Sequence, residues 1–179
     1  MSIEFKIKES SILSGVWIIE PNISEDLRGN IWTSYNHSVE SILPKNLSFS
    51  HDKFSTSKKD VLRGIHGDSK SWKLVTCVHG KIEQVIVDCR INSETYHKWE
   101  KFTIDACSPL LVLIPPNMGN SYLVKSPSAV YHYKLAYHGE YIDSDSQFTL
   151  RWDDPELDID WSTKSPILSG RDKKKKEYK

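Results

Sequence analysis

The chain has 179 residues, with 24 Lys and Arg against 24 Asp and Glu, so its formal net charge is zero. That balance gives no bulk electrostatic reason to expect a nucleic acid or an acidic membrane surface as partner. The length fits one domain, and no run reaches the roughly 20 apolar residues that span a bilayer.

Read in chain order, the sequence is strand-prone almost throughout. The opening "MSIEFKIKESSIL" lacks the apolar core of a signal peptide, and we expect a cytoplasmic protein. "IEFKIKE" alternates from Ile3 to Ile7, and "GVWIIEP" ends at Pro21 and Asn22. "HSVESILPKN" reads as a helix, capped by Asn36 or Ser38 and stopped before Pro44. "VTCVHGKIEQVIVDC" reads as a hairpin turning at His79-Gly80. "FTID", "LLVLIPP" and "FTLRW" are further short β-prone runs between turn residues. Many short strands without a long helix point to a sandwich, jelly roll or barrel. Cys77, Cys89 and Cys107 are widely spaced and odd in number, so we expect reduced, mostly buried thiols rather than a disulfide framework or a zinc knuckle. The closing "DKKKKEYK" reads as a solvated basic tail over about residues 173–179.

The chemistry concentrates in "VLRGIHGDSKSWKLV", residues 61–75, which is too polar for a strand that only fills a core. His66 is an imidazole able to take a proton near neutral pH. Arg63 and Lys73 offer positive charge for a phosphate or a developing oxyanion. Strict alternation places Arg63 and His66 on opposite faces, so both reach one cavity only if a bulge near Gly64 breaks the period. In "AVYHYKLAYHGEY", alternation sends Tyr131, Tyr133, Leu135 and Tyr137 to one face and Val130, His132, Lys134 and Ala136 to the other. For a single Tyr there, a packed aromatic stripe competes with a hydroxyl facing the cavity of His66. Three metal ligands cannot be assembled on neighbouring strands: "HGD" holds one His, and Asn120 stands in "IPPNMGNSY" where a ligand His would be wanted.

"LRGIH", Lys73-Leu74-Val75, "VDCR", "LIPPNMG", "YKLAY" and "RWDDPELDIDW", with "DLRGN" before and "SPILSGRD" after, resemble in this order the dTDP-4-dehydrorhamnose 3,5-epimerase family, from about Ile12 to Asp172. The resemblance implies an all-β, cupin-type jelly roll with a few short peripheral helices. It also implies a homodimer with N-terminal strands packed across the interface, a sugar-nucleotide substrate, and no metal or other cofactor. Residue by residue, it implies His66 as general base, Tyr133 as general acid, Asp172 as the carboxylate that orients His66, and Lys73 beside the sugar's carbonyl oxygen. Arg28, Lys53, Arg63, Asp68, Asn120 and Arg171 then fall among the substrate contacts. Ile31 stands where the family usually has Phe, Thr33 where it has Glu, and "HGD" and "NMGNSY" where it has "HYQ" and "GFAHGF". In these departures the chain more closely resembles the subgroup acting on GDP-linked 4-keto-6-deoxy-heptoses in capsule biosynthesis. Gly67 in place of an aromatic is then expected to open the pocket toward a larger sugar. Three other readings stay open: action on dTDP-4-dehydrorhamnose, a sugar-nucleotide 3,4-ketoisomerase, and a non-catalytic cupin that binds a sugar nucleotide.

Overall fold

The structure is a computed structural model and describes residues 3–173. Its strands are β1 (Phe5–Glu9), β2 (Trp17–Pro21), β3 (Ile23–Asp26), β4 (Gly29–Trp32), β5 (Phe49–Lys58), β6 (Leu62–Gly67), β7 (Trp72–His79), β8 (Lys81–Asp88), β9 (Trp99–Asp105), β10 (Leu111–Ile114), β11 (Met118–Val124), β12 (Ser128–Ala136) and β13 (Phe148–Thr149). One sheet has the order β1-β2-β10-β7-β12-β5 and the other β13-β6-β11-β8-β9, while β3 and β4 form a separate ribbon. This is the jelly-roll architecture expected from the sequence.

Three apolar layers explain the strand composition. Val75, Cys77, Val112, Ile114 and Tyr131 from the first sheet pack against Ile82, Ile86, Phe102, Ile104, Met118 and Tyr122 from the second. The outer face of the second sheet (Leu62, Ile65, Val85, Val87 and Leu123) is covered by Leu150, Leu157 and Trp161 of the C-terminal segment. The outer face of the first sheet (Ile19, Leu74, Leu111 and Leu113) is covered by Val39 and Leu43. Strands covered on both faces gain apolar burial at every position, so β11 is buried along its whole length and alternation disappears from its sequence.

Two local expectations change. The helix is a single turn, α1 (His37–Glu40), capped by the Asn36 side chain, which accepts from the Ser38 amide. Only Val39 of that turn is buried, and so little burial does not sustain a longer helix. The stretch around His79-Gly80 is not a hairpin: β7 pairs with β10 and β12, whereas β8 pairs with β11 and β9. Gly80 (φ +79°) instead marks the crossing from one sheet to the other, and a Cβ there would lie 2.2 Å from the Ser128 carbonyl oxygen. Cys77 and Cys89 are buried, whereas Cys107 is exposed. Apart from Lys173, which is exposed, the basic tail lies outside the described residues. No helix among the described residues is long and apolar enough to cross a membrane.

Candidate active site

The two sheets hold a cavity of about 240 Å³ between them. From the first sheet it is lined by Lys53 and Ser55 on β5, Lys73 on β7, and Tyr133 and Leu135 on β12; from the second, by Arg63 and His66 on β6 and Asn120 on β11. Tyr141, Ser144, Gln147, Ser169, Arg171 and Asp172 complete it from the connecting segments.

Arg63 and His66 share the cavity because the alternation is broken between them. On β11, Asn120 pairs with His66 and Tyr122 with Arg63, so three steps along β6 match two along β11. The bulge falls at Gly64, whose φ is +117°. A Cβ there would lie 2.5 Å from Ser121 Cβ and 2.6 Å from the Asn120 carbonyl oxygen, so only glycine fits.

His66 Nε2 lies 2.5 Å from Asp172 Oδ1. The other oxygen of Asp172 accepts from Ser169 Oγ at 2.8 Å. Burial pushes the Asp172 carboxyl up, but hydrogen bonding and charge from His66, with Ser169 and Arg171, outweigh it and hold the group below the usual carboxylate value. Asp172 is thus an anion fixed on Nε2 of the imidazole, which leaves Nδ1 as the ring nitrogen available to take a proton. The segment carrying Asp172 is tied to β13 by Arg171, which donates to Thr149 Oγ1 at 2.9 Å and to the Gln147 carbonyl at 3.2 Å.

Across the cavity, Tyr133 sits between Val75 of β7 and Lys53 of β5 in the sheet register. Burial pushes its phenol well above the ordinary tyrosine value, with Tyr122 adding to the effect and Arg63 opposing it. The hydroxyl therefore stays protonated at neutral pH and can donate. Lys73 Nζ donates to Asp68 Oδ2 at 2.8 Å in a buried ion pair. Burial raises Asp68, but the charge and hydrogen bond of Lys73, with the Ser71 and Lys70 amides, hold it below the usual carboxylate value. Tyr131, the neighbouring inward residue, packs in the apolar layer as a stripe residue would.

The structure therefore brings together His66, Tyr133, Asp172, Lys73, Lys53, Arg63, Asn120 and Arg171. It does not bring Arg28 or Asp68 to the cavity. Arg28 lies in the exposed turn between β3 and β4, paired with Asp26 at 2.5 Å. Asp68 is buried behind Lys73 and acts on it. The pocket-opening expectation for Gly67 is corrected: a Cβ there would lie 2.2 Å from the Phe148 ring and 2.3 Å from the Met118 carbonyl oxygen. The space that a side chain at residue 67 would need is taken by Phe148, and nothing is added to the cavity. Ser55, Tyr141, Ser144 and Gln147 escaped the sequence reading, although the alternation that sends Tyr133 inward extends across the register to Ser55 and Lys53. Among the described residues no group of three or more His, Cys, Asp or Glu side chains is arranged to hold a metal ion.

The fold and the cavity define a jelly-roll protein in which an imidazole on one sheet, held by a carboxylate of the C-terminal segment, faces a phenol on the other. Residues 10–179 match the model of the family described as dTDP-4-dehydrorhamnose 3,5-epimerase. The dTDP-4-dehydrorhamnose 3,5-epimerase of Escherichia coli K12 is 36% identical over 167 residues, covering 90% of this chain and 89% of the relative. The dTDP-4-dehydrorhamnose 3-epimerase of Streptomyces niveus is 34% identical over 168 residues, covering 89% and 78%. The crystal structure of dTDP-6-deoxy-D-glucose-3,5-epimerase from Legionella pneumophila, in complex with dTDP-4-keto-L-rhamnose, superposes with a TM-score of 0.86 at 31% identity, covering 94% of this chain and 90% of that one. The chain belongs to the dTDP-4-dehydrorhamnose 3,5-epimerase family and is an isomerase.

Proposed function

We propose that the enzyme inverts carbon 3, carbon 5 or both in a 4-keto-6-deoxy sugar nucleotide, with His66 as base and Tyr133 as acid. The observation that carries this reading is that His66, held by Asp172, and Tyr133 line one cavity from facing sheets. A ketone at carbon 4 acidifies the protons on carbons 3 and 5. His66 removes one through Nδ1, and Asp172 stabilises the imidazolium that forms. The electron pair moves onto the carbonyl oxygen, where the Lys73 ammonium stabilises the enolate; one such contact contributes roughly 3 kcal/mol in a site sheltered from water. Tyr133 then delivers a proton to the opposite face of the same carbon, which inverts it. A single residue acting as both base and acid would mostly return the proton to its starting face. The sum of these steps oxidises nothing, so the chemistry needs no redox cofactor. Arg63, Lys53 and Arg171 place positive charge around the cavity, suited to a diphosphate.

The relatives' names favour a dTDP-linked hexose. A second reading, a GDP-linked 4-keto-6-deoxy-heptose for capsule biosynthesis, is favoured by the residues that depart from the family pattern, above all Asn120 in the cavity wall. The enzyme is also read as a homodimer. Leu27 and Ile31 of the β3–β4 ribbon are exposed apolar residues, which a partner subunit would cover, and Arg28 lies beside them. Incubation with dTDP- and GDP-linked 4-keto-6-deoxy sugars in deuterium oxide, followed by NMR, tests substrate and centres together. We expect deuterium at carbon 3 or 5 with inversion. A product whose carbonyl has moved to carbon 3 would establish a ketoisomerase instead, and binding without exchange would establish a non-catalytic binder.

A further inference from the structure

Beneath Asn120 lies a buried relay of polar groups that none of the steps above uses. Gln84, on β8, is fully buried, and its cross-strand neighbour on β11 is Tyr122. The Tyr131 hydroxyl donates to Gln84 Oε1 at 2.6 Å. Gln84 Nε2 in turn donates to Asn120 Oδ1. The Tyr131 hydroxyl also approaches Asn120 Oδ1, at 3.3 Å. The direction of this chain is not arbitrary. If both amides were turned over, Gln84 Nε2 would face the Tyr131 oxygen and Asn120 Nδ2 would face Gln84 Oε1. The buried hydroxyl proton of Tyr131 would then meet two NH₂ groups and no acceptor. Leaving such a donor unpaired costs about 1–3 kcal/mol. The arrangement that satisfies all three side chains is therefore the one present, and it ties down the carbonyl end of Asn120. Among the described residues Asn120 Nδ2 carries no hydrogen bond, and Asn120 lines the cavity.

Asn120 is also the direct β11 partner of His66 on β6. Paired residues of neighbouring strands stand roughly 5 Å apart at Cβ and share a face. Whatever Nδ2 meets is therefore close to the carbon that His66 deprotonates.

Resting on the proposed epimerase reading, in which Asn120 is a substrate contact, we infer that Gln84 and Tyr131 are positioning residues: they fix the polarity of Asn120, so that it meets an oxygen of the sugar beside the reacting carbon only as a hydrogen-bond donor. Either of two oxygens has the required chemistry, a ring hydroxyl or the carbonyl oxygen at carbon 4. Because Asn120 and Gln84 are neutral amides, their donor stays a donor at every pH at which the enzyme is folded, unlike an imidazole at the same position.

The test uses the full chain and whichever of the dTDP- and GDP-linked 4-keto-6-deoxy sugars the wild type turns over faster. Asn120→Leu is expected to lose about tenfold to thirtyfold in kcat/KM. A rise in KM alone identifies a ring hydroxyl as the acceptor, and a fall in kcat identifies the carbonyl oxygen. Gln84→Met is expected to lose less, because Tyr131 still holds Asn120 Oδ1. The double variant Gln84→Met with Asn120→Leu is expected to lose no more than Asn120→Leu alone, since Gln84 acts only through Asn120. Adding Tyr131→Phe to the double variant removes the one hydroxyl it leaves without an acceptor, so this triple variant carries the test if Asn120→Leu fails to fold. Binding of dTDP and GDP alone should be unchanged in every variant, which damage to the fold would not leave intact. Turnover by Asn120→Leu, or by the double or the triple variant, within about twofold of wild type overturns the inference, as do losses that multiply in the double variant. Absence of exchange by the wild type itself overturns the epimerase reading and this one with it.

Discussion

Asp68→Asn isolates what the Lys73–Asp68 pair does. The side chains are 7% and 0% exposed, and Nζ and Oδ2 are 2.8 Å apart. Asp68 Oδ1 also accepts from the Lys70 amide at 3.0 Å and the Ser71 amide at 2.6 Å. An asparagine can keep both amide contacts through its own oxygen, but its NH₂ group then faces the Lys73 ammonium, donor against donor. Removing one partner of a buried pair costs roughly 3–5 kcal/mol, and the retained amide bonds place this case at about 3. For a chain of this size about 3 kcal/mol lowers Tm by about 6–12 °C. The effect has a pH signature. The folded pKa of Asp68 is lowered, so the pair's stabilisation is fully present above the unfolded carboxylate pKa of about 3.9 and is lost as pH falls through the folded value. The stability gap between wild type and Asp68→Asn, measured by urea unfolding at several pH values, should therefore be full at pH 7 and shrink below about pH 4. A loss under about 1 kcal/mol at pH 7, or a gap that does not shrink in acid, would mean that the ion pair does not stabilise the fold.

Other positions separate stability from chemistry. His66→Asn should fold and lose most turnover, because among the described residues no other imidazole lines the cavity; near-normal rates would remove His66 as base. Asp172→Asn should lose at least about a hundredfold in kcat by leaving the imidazole without its orienting anion, with little change in KM. Asp88, which does not line the cavity, accepts from Arg90, Ser93 and Thr95, and although burial raises it, these contacts bring its pKa down to about 2. Asp88→Asn should cost about 2 kcal/mol at pH 7 and leave kcat/KM unchanged; the contribution is present above about pH 4 and disappears toward pH 2. Exhaustive chelation should leave turnover intact, since the imidazole of His66 is already engaged by Asp172; activity that returns with a single added metal would require a different mechanism.

Much of this architecture is legible in the sequence because short-range rules govern it. Alternation places Tyr133 inward and His132 on the opposite face, where His132 Nε2 meets Asp52 at 2.7 Å. Gly64 inside a polar strand marks the bulge that carries Arg63 and His66 to one cavity. What was not legible depends on which strands pair. The run through His79-Gly80 has every local feature of a hairpin, and only the partners of β7 and β8 reveal a crossing between sheets. Asp68 reads as a cavity residue beside His66, but the turn that follows folds it back beneath Lys73. Gly67 reads as lost bulk, yet Phe148, some eighty positions later, lies against it. The Gln84–Asn120 relay joins β8 to β11, and although Asn120 stands out in its motif, Gln84 has no local signature.

In the proposed mechanism, proton removal and proton return come from opposite walls of the cavity. Tyr133→Phe tests this most directly, by proton NMR of a 4-keto-6-deoxy sugar nucleotide in deuterium oxide. The substrate's acidic proton should still wash out to solvent through His66 while no inverted product accumulates. Inversion at the wild-type rate by Tyr133→Phe would contradict this mechanism.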